Sequence, residues 1–279
     1  MRKVVVVMTC RNEKDHLEKT LSSLESQSLT PTEVIIIDDA STDRTFDIIE
    51  KFVQKNGWTS HERLKNDERY SSIPNALKIA TSMIKFDFDY FMILDGDTIL
   101  EPQYVEKLIK KIEEDPFLGI AGGSLKITTE NGIQNYIDDS KIVFGCNRIY
   151  TKKCWYDINN GKILNVNSVA WDNEHSQKAL NRGYKVSRFD EIISHAQRIP
   201  TLQVPPFLAG KLRYQFGYSL PRSLISGLLN RNLKFLVGYL SAWLNNEKKI
   251  DESKYMEKMK KEYDREYLKK IRSKVSKDN

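Results

Sequence analysis

Two aspartates separated by one glycine follow an apolar run in the middle of the chain. Asp95 and Asp97 come directly after Tyr90 to Leu94, whose composition predicts a buried strand. Two carboxylates held side by side repel each other unless a cation lies between or beside them. A hard divalent ion that also binds phosphate oxygens is the usual cation in such places. The spacing therefore favours a site for a metal-bound phosphate, although a solvated acidic turn would show the same tripeptide.

Polar residues also end two apolar runs nearer the start of the chain. Val4 to Met8 is followed by the polar segment 9–13, and Val34 to Ile37 is followed by the acidic segment 38–43. Carboxylates at strand ends can accept hydrogen bonds from the N–H groups of a nucleotide base and from ribose hydroxyls. Both segments are therefore candidates for binding a nucleoside.

The segments between these runs have the spacing of helices. Apolar residues recur at helical intervals in 16–27, 42–56 and 75–84. Alternating strands and helices predict an α/β fold with a mainly parallel sheet flanked by helices. Ligands of such sheets gather at the carboxyl ends of the strands, where every polar cluster described above falls.

As a set, these motifs resemble those of the family 2 glycosyltransferases of the GT-A (Rossmann-like) fold. The family's first strand ends in Asn-Glu, matched by Asn12 and Glu13, and its second in Asp-Asp-x-Ser-x-Asp, matched by 38–43. An Asn on the following helix is matched by Asn75, and the family's Asp-x-Asp by 95–97. The resemblance covers about the first 200 residues.

Two further matches lie downstream. Trp171 and Asp172 align with the family's Glu-Asp segment, whose Asp is the catalytic base, and His195 aligns with a late histidine that often completes the metal site. The resemblance thus implies that Asp97 and His195 bind Mg²⁺ or Mn²⁺ on the diphosphate of a UDP- or GDP-linked sugar. It implies that Asp172 takes the proton from an acceptor hydroxyl during an inverting transfer.

The resemblance also implies the residues that bind the donor nucleotide. Glu13 and Asp38 or Asp39 would contact the nucleoside, and Asp95 would lie near the ribose or the metal. The full donor-binding set is Thr9, Arg11, Glu13, Asp38, Asp39, Asn75 and Asp95. Thr9 and Arg11 stand where many relatives have Pro and Tyr, a departure that alters the nucleotide pocket only slightly.

The acceptor side is less well defined. Trp171 replaces the usual Glu before the base, and its indole would either stack on an acceptor sugar ring or lie in the core behind the loop. Arg148 and Lys152 are predicted on the acceptor side, where cations suit a glycan or polyprenyl-phosphate-linked acceptor, although ordinary surface exposure explains them equally. His175 is predicted to be a surface residue.

Two other functions compete with glycosyl transfer. Residues 95–98 also look like the aspartyl nucleophile motif of haloacid dehalogenase-like phosphatases, but those enzymes place it on their first strand, and two βα units precede it here. The second alternative is a non-catalytic module that binds nucleotide sugars at a membrane surface. The presence of Asp97, Asp172 and His195 together argues against a protein that has kept the fold and lost catalytic activity.

The sequence changes character after residue 200. It predicts a catalytic domain over 1–200, an amphipathic helical extension over 201–253 and a basic helical tail over 254–279. No apolar run reaches the roughly 20 residues needed to span a bilayer, so the helices of the extension are predicted to lie in the membrane interface. Completion of a soluble core, or a contact between two copies of the chain, is the alternative.

The charge distribution and the number of cysteines limit which partners and which cellular compartment are expected. Between 254 and 277 there are ten Lys or Arg and four Asp or Glu, a net charge of +6. This equals the net charge of the whole chain, so the remaining residues are close to neutral. That distribution argues against nucleic acid as a partner and favours an anionic membrane surface for the tail. The odd count of three cysteines favours a reducing compartment, and we predict a cytoplasmic protein at the inner face of the membrane.

Overall fold

The computed structural model describes residues 2–63, 72–129, 132–135, 143–161, 163–165, 170–198, 204–229 and 231–250. The chain divides into two compact units, Met1–Pro200 and Thr201–Asn279. The basic tail predicted over 254–279 lies outside the described residues, so its helical pattern remains a prediction.

The first half of the Met1–Pro200 unit alternates strands with helices. In chain order the elements are β1 (Val4–Cys10), α1 (Leu17–Glu25), β2 (Glu33–Asp38), α2 (Thr45–Asn56), β3 (Thr59–Glu62), α3 (Ser72–Ser82) and β4 (Tyr90–Asp95). β1 pairs in parallel with β2 and β4, and β2 pairs in parallel with β3. β1, β2 and β4 are almost continuously apolar because helices cover both faces of the sheet.

The second half adds antiparallel strands. Its elements are β5 (Thr98–Leu100), α4 (Tyr104–Glu114), β6 (Leu118–Thr129), β7 (Gly132–Asn135), β8 (Asn147–Thr151), α5 (Lys152–Asn159), α6 (Trp171–Asn181) and β9 (Lys185–Ala196). The strand order is β3-β2-β1-β4-β8-β6-β9-β5, with β7 paired to β6. β8 runs antiparallel to both of its neighbours, β4 and β6, whereas β9 runs parallel to β6.

The predicted α/β fold is confirmed, and the sheet as a whole is mixed. The parallel pairing predicted from the βα pattern holds from β3 to β4. β3 and β5 lack the long apolar run that made the central strands recognisable, because β3 lies at the edge of the sheet and β5 has only three residues.

The two faces of the sheet pack against different helices. Successive strand residues point to opposite faces, so Val4, Val6 and Met8 pack with α1 and α4, whereas Val5 and Val7 pack with α3, α5 and α6. The second of these cores is rich in aromatic rings from β4, β8 and α5. Both layers hold the carboxyl ends of β1, β2 and β4 in a fixed position.

The Thr201–Asn279 unit contains three described helices, α7 (Pro206–Gln215), α8 (Leu220–Leu229) and α9 (Leu233–Leu244). The backbones of α7 and α9 approach closely at two glycines. A Cβ on Gly210 would lie 2.0 Å from the carbonyl oxygen of Phe235, and a Cβ on Gly238 would lie 2.0 Å from that of Phe207. None of the helices that the structure describes is long and apolar enough to cross a membrane.

Candidate active site

The carboxyl ends of three parallel strands bring the polar segments of the sequence together. Thr9 at the end of β1 pairs with Asp95 at the end of β4, and Cys10 pairs with Asp38 at the end of β2. These pairings follow from the register of the apolar runs, which buries Val4 to Met8, Val34 to Ile37 and Phe91 to Leu94. The predicted donor-binding segments therefore meet at one edge of the sheet.

An arginine that the sequence analysis missed holds two of the acidic side chains. Arg198 donates from Nε to Oδ2 of Asp97 at 2.8 Å and from Nη2 to Oε1 of Glu13. Glu13 is buried, and among the described residues its second oxygen, Oε2, has no hydrogen-bond partner. Arg198 lies 101 residues from Asp97 in the chain, so no local pattern could have linked the two.

The acidic cluster is electrostatically strained. Burial, reinforced by the nearby charge of Asp97, raises the pKa of Glu13 to about 7, against the opposing effect of Arg198. Burial likewise raises the pKa of Asp95 to about 7, with further contributions from the negative charges of Asp97, Glu13 and Asp172. Carboxylates that lose water and face one another resist ionisation unless a cation compensates them. The cluster is thus built to receive positive charge.

The turn between Asp95 and Asp97 is packed against β1. A Cβ on Gly96 would lie 2.8 Å from Cβ of Cys10 and 3.3 Å from Cγ of Glu13, so only glycine fits there without displacing β1. The glycine thus allows both aspartates to lie next to the polar end of the first strand.

The two aspartates at the end of β2 are also buried. Asp38 accepts hydrogen bonds from the hydroxyl and the backbone N–H of Ser41, and burial raises its pKa. Asp39 forms an ion pair with Arg63, which continues the chain after β3. The structure therefore brings Asp38 and Asp39 to the strand-end site, each held by an interaction within the protein.

Asp172 lies in the first turn of α6, one residue inside the helix. Its side chain is 31% exposed, and its Oδ1 accepts a hydrogen bond from the backbone N–H of Asn173 at 2.8 Å. The loop before β8 connects this residue to the acidic cluster, since a Cβ on Gly145 would lie 3.4 Å from Cβ of Asp172 and the carbonyl of Cys146 accepts a hydrogen bond from the backbone N–H of Asp95 at 3.1 Å. Side chains along β4 alternate between the two faces of the sheet, so Asp95 lies on the same face as Phe91 and Ile93. Those two side chains pack in the core that α6 covers, so the carboxylates of Asp95 and Asp172 lie on the same side of the sheet.

Three residues predicted near the acceptor are placed differently. Arg148 is fully buried on β8, under the first turn of α6, rather than exposed on the acceptor side. Trp171 is buried in the core, where its ring meets the guanidinium of Arg148 at 5.5 Å, so the core interpretation of this residue holds. Lys152 donates from Nζ to the Asp87 carboxylate at 2.7 Å. The residue before Lys152 pairs with Tyr90 at the start of β4, so Lys152 lies at the opposite end of this strand from Asp95.

The prediction that His175 is a surface residue is wrong. The imidazole is fully buried between Tyr150 and Asn159, with Nδ1 2.9 Å from the Tyr150 hydroxyl and Nε2 3.1 Å from Oδ1 of Asn159. Burial, together with the positive charge of Arg148, lowers its pKa well below the usual value, so it is neutral. A histidine in a polar helix gave no indication of burial, because its partners come from β8 and α5.

The remaining predicted residues lie around the cluster. Asn75 is half-buried on α3, Thr9 is half-buried and Arg11 is exposed beyond the end of β1. His195 on β9 pairs with Ile99 on β5. Two residues after His195, the backbone N–H of Gln197 donates to the carbonyl of Asp97. Its Nε2 is 4.0 Å from the Glu101 carboxylate.

The side chains of the cluster fit a divalent cation that is shared with a diphosphate. In the part of the chain that the structure describes, no group of three or more His, Cys, Asp or Glu side chains is arranged to hold a metal ion by itself. Mg²⁺ in phosphate-transfer sites is usually bound by one or two carboxylates, with phosphate and water completing its coordination. Asp97 and Asp95 supply such oxygens, and the buried Oε2 of Glu13 lacks a compensating partner.

The fold and the site define an α/β domain whose acidic cluster lies at the carboxyl ends of parallel strands, facing a carboxylate on a later helix. The family profile described as glycosyl transferase family 2 matches residues 5–172. The chain therefore belongs to glycosyl transferase family 2.

Curated relatives share part of the chain. It is 29% identical over 130 residues to poly-beta-1,6-N-acetyl-D-glucosamine synthase of Staphylococcus aureus (strain MSSA476), covering 47% of this chain and 30% of the relative. It is 27% identical over 142 residues to the synthase of the same name from Staphylococcus epidermidis, covering 50% of this chain and 33% of the relative. The chain thus spans about a third of the length of these relatives.

Solved structures share the fold. TarS of S. aureus matches with a TM-score of 0.60 and 17% identity, covering 82% of this chain and 43% of TarS. A TarS 1–349 complex with UDP-GlcNAc gives 0.57 at 17% identity, covering 75% and 65% of the two chains. The mannosyltransferase PcManGT of Pyrobaculum calidifontis, in complex with GDP-Man and Mn²⁺, gives 0.56 at 15% identity, covering 87% and 70%. These structures establish the GT-A fold.

Proposed function

We propose that this chain transfers a sugar from a nucleoside-diphosphate sugar to an acceptor hydroxyl, with inversion at the anomeric carbon. The observation that carries the proposal is the position of Asp172: a Cβ on Gly145 would lie 3.4 Å from its Cβ, and the carbonyl of the next residue, Cys146, accepts a hydrogen bond from the backbone N–H of Asp95 at 3.1 Å. A base on one side of the strand-end site and a diphosphate-binding cluster on the other are what an in-line displacement requires. A phosphatase with Asp95 as nucleophile has no support from the family match.

The donor would lie along the ends of β1, β2 and β4. The proposed contacts to the nucleotide are Thr9, Arg11, Glu13, Asp38, Asp39, Asn75 and Asp95. Six of them lie at or directly after these strand ends, which supports the proposal, and Asn75 lies on α3. Solved structures of the same fold bind UDP-GlcNAc, UDP and GDP-Man, which supports a UDP- or GDP-linked donor.

Asp97, with His195 nearby on β9, is the proposed protein ligand of Mg²⁺ or Mn²⁺. The presence of Mn²⁺ with GDP-Man in PcManGT supports a divalent ion in this fold. Such an ion, when bound, would offset the negative charge on the departing diphosphate. Arg198 binds Oδ2 of Asp97, so the arginine would have to share or give up that oxygen when a cation binds.

Transfer would proceed by a single displacement. A carboxylate oxygen of Asp172 accepts the proton of the acceptor hydroxyl while that oxygen forms its bond to the anomeric carbon. The bond between this carbon and the diphosphate breaks on the opposite face, and its electron pair leaves with the nucleoside diphosphate. An α-linked donor thus gives a β-linked product, without a covalent enzyme intermediate. This step distinguishes the enzyme from a module that only binds the donor.

A thermal-shift screen tests the donor. UDP-, GDP- and dTDP-sugars would be added with and without Mn²⁺, and each free sugar phosphate serves as a control. A ligand at about 100 times its Kd adds about 2.7 kcal/mol to the free energy of unfolding, which corresponds to a rise in Tm of about 5 °C or more. We expect such a rise for at least one nucleotide sugar, larger with Mn²⁺. No rise with any of them would contradict the proposal.

The acceptor is proposed to be a glycan, free or linked to a polyprenyl phosphate. The names of the curated relatives, which are poly-N-acetylglucosamine synthases, support a glycan product. A lipid-linked acceptor would require the protein to work at the cytoplasmic face of a membrane, and the Thr201–Asn279 unit has a surface that suits this location.

That surface is apolar and cationic together. Large apolar side chains at the end of α8 and along α9 are more than half exposed, namely Leu228, Leu229, Leu233, Val237 and Leu244. Residues 204–250 contain seven Lys or Arg and a single acidic residue, Glu247, which is paired with Lys211. Exposed apolar side chains beside an excess of cationic over acidic residues are typical of helices that lie in an anionic membrane interface.

Vesicle binding tests this location. We expect the full chain to bind vesicles containing phosphatidylglycerol, to bind pure phosphatidylcholine weakly, and to be released by salt, since cations act through a screened potential. Changing Leu229 and Leu233 to Ser should weaken binding by about tenfold or more, because each buried leucine is worth about 1.5–3 kcal/mol. Phe86→Ser is the matched control, since Phe86 is 56% exposed in the other unit. Equal binding by both variants would contradict this surface.

A further inference from the structure

Arg148 is a buried cation whose side chain connects three segments of the chain. Its Nε donates to the carbonyl of Phe144 at 3.0 Å, and its Nη2 donates to the carbonyl of Val143. Its Nη1 donates to the carbonyl of Asp172 at 2.9 Å. The guanidinium thereby ties the loop before β8 to the first turn of α6.

The carboxylate of Asp172 is also the counter-charge of Arg148. Among the residues that the structure describes, it is the one carboxylate within 4.0 Å of the guanidinium, with Nη2 4.0 Å from Oδ2. A buried cation is costly unless an opposite charge lies near it. Arg148 therefore attracts the Asp172 carboxylate to one position while it also binds the carbonyl oxygen of the same residue.

A polarised chain of hydrogen bonds continues from Arg148 into the core. Asn159 uses its side-chain N–H₂ to bond the carbonyl of Trp155, so its oxygen must accept from Nε2–H of His175. Nδ1 of the neutral imidazole then accepts from the hydroxyl of Tyr150, which lies 3.5 Å from Nη1 of Arg148. Each donor along this chain is oriented by the next residue, which fixes α6 on β8.

Packing restricts the same position from the other side. A Cβ on Gly145 would lie 3.0 Å from the indole of Trp171 and 3.4 Å from Cβ of Asp172. Arg148 also lies 5.5 Å from the Trp171 ring. The loop, the indole and the guanidinium therefore enclose the start of α6 and leave the Asp172 carboxylate little freedom.

We propose that Arg148 is a positioning residue for glycosyl transfer, one that holds the Asp172 carboxylate towards the acceptor. This inference rests on the proposed function, since it gives Arg148 a purpose only if Asp172 is the base. It replaces the role of acceptor contact that the sequence predicts for Arg148. Lysine cannot substitute fully, because its ammonium lacks the planar fork that reaches three carbonyl oxygens.

The test combines crystal structures with steady-state kinetics of nucleoside diphosphate release from UDP-GlcNAc or whichever nucleotide sugar gives the largest thermal shift. Arg148→Met should displace the first turn of α6, lower kcat by about 10–100-fold and leave the KM for the donor within about threefold. Arg148→Lys should recover part of kcat.

Lys178→Met is the matched control. Lys178 is also a buried cation but lies on α6 itself, paired with Glu174 at 2.9 Å, so its loss should lower Tm while kcat stays within about twofold. If Arg148→Met does not fold, Arg148→Lys carries the test with the same measurements. An Asp172 carboxylate that stays in its wild-type position in the variant would overturn the positioning role. A displaced carboxylate with unchanged kcat would instead overturn Asp172 as the base, and with it the proposed function.

Discussion

Replacing Asp172 by Asn is expected to lower the rate of sugar transfer by about 10²–10⁴-fold while the protein still binds its donor. The amide has nearly the same shape as the carboxylate but cannot accept the acceptor proton, so the chemical step loses its base. Asp172 is one-third exposed, and its hydrogen bond to the N–H of Asn173 can be kept by the amide oxygen of Asn. The fold should be kept but Tm should fall, because Arg148 loses its counter-charge and retains its hydrogen bonds to three carbonyl oxygens.

The measurement is nucleoside diphosphate release under saturating donor, together with the thermal shift given by the same donor. Asp190→Asn is the matched control, because Asp190 is an exposed carboxylate on β9 that pairs with Arg188 and does not face the site. We expect wild-type turnover from this control. Turnover of Asp172→Asn within about threefold of wild type would exclude Asp172 as the base.

Replacing Asp97 by Asn is expected to lower turnover by about 100-fold or more and to remove the effect of Mn²⁺ on donor binding. A neutral amide is a much poorer ligand for a hard divalent cation than a carboxylate is. Stability should change little. The Arg198 ion pair is lost, but it is about 39% exposed on the arginine side and contributes little.

Loss of the negative charge at position 97 should at the same time relieve repulsion within the cluster. The raised pKa values of Glu13 and Asp95 both include a contribution from Asp97, so we expect both groups to ionise at lower pH in the variant. Asp87→Asn is the matched control, since Asp87 pairs with Lys152 near the other end of β4. A Mn²⁺ response that persists in Asp97→Asn would contradict the assignment of Asp97 as a metal ligand.

The sequence predicted the part of the fold that depends on local patterns. β1, β2 and β4 are recognisable because burial on both faces leaves only apolar residues, and the polar residues after them mark where burial ends. Parallel pairing then brings those ends together without further information, which is why Asp38 and Asp95 could be placed at the same edge.

The sequence could not predict contacts that depend on distant segments. Arg198 meets Glu13 and Asp97 only because β9 returns beside β5, and nothing near Arg198 indicates a carboxylate partner. Arg148 looked like a surface cation because a buried arginine is rare unless its hydrogen bonds are satisfied. The carbonyls that satisfy it belong to a loop and a helix whose positions only the folded chain defines.

The glycine between the two aspartates has a consequence for how the site can vary. Because a Cβ on Gly96 would meet the side chains of Cys10 and Glu13, the distance from the paired aspartates to the first strand is set by the packing of the Gly96 backbone against those side chains. Thermal fluctuations of the turn must therefore be shared with β1, and the two should move as one body. Adaptation to a bulkier or smaller donor sugar is then expected to arise from α3 or α6, where side chains can change size without breaking that contact.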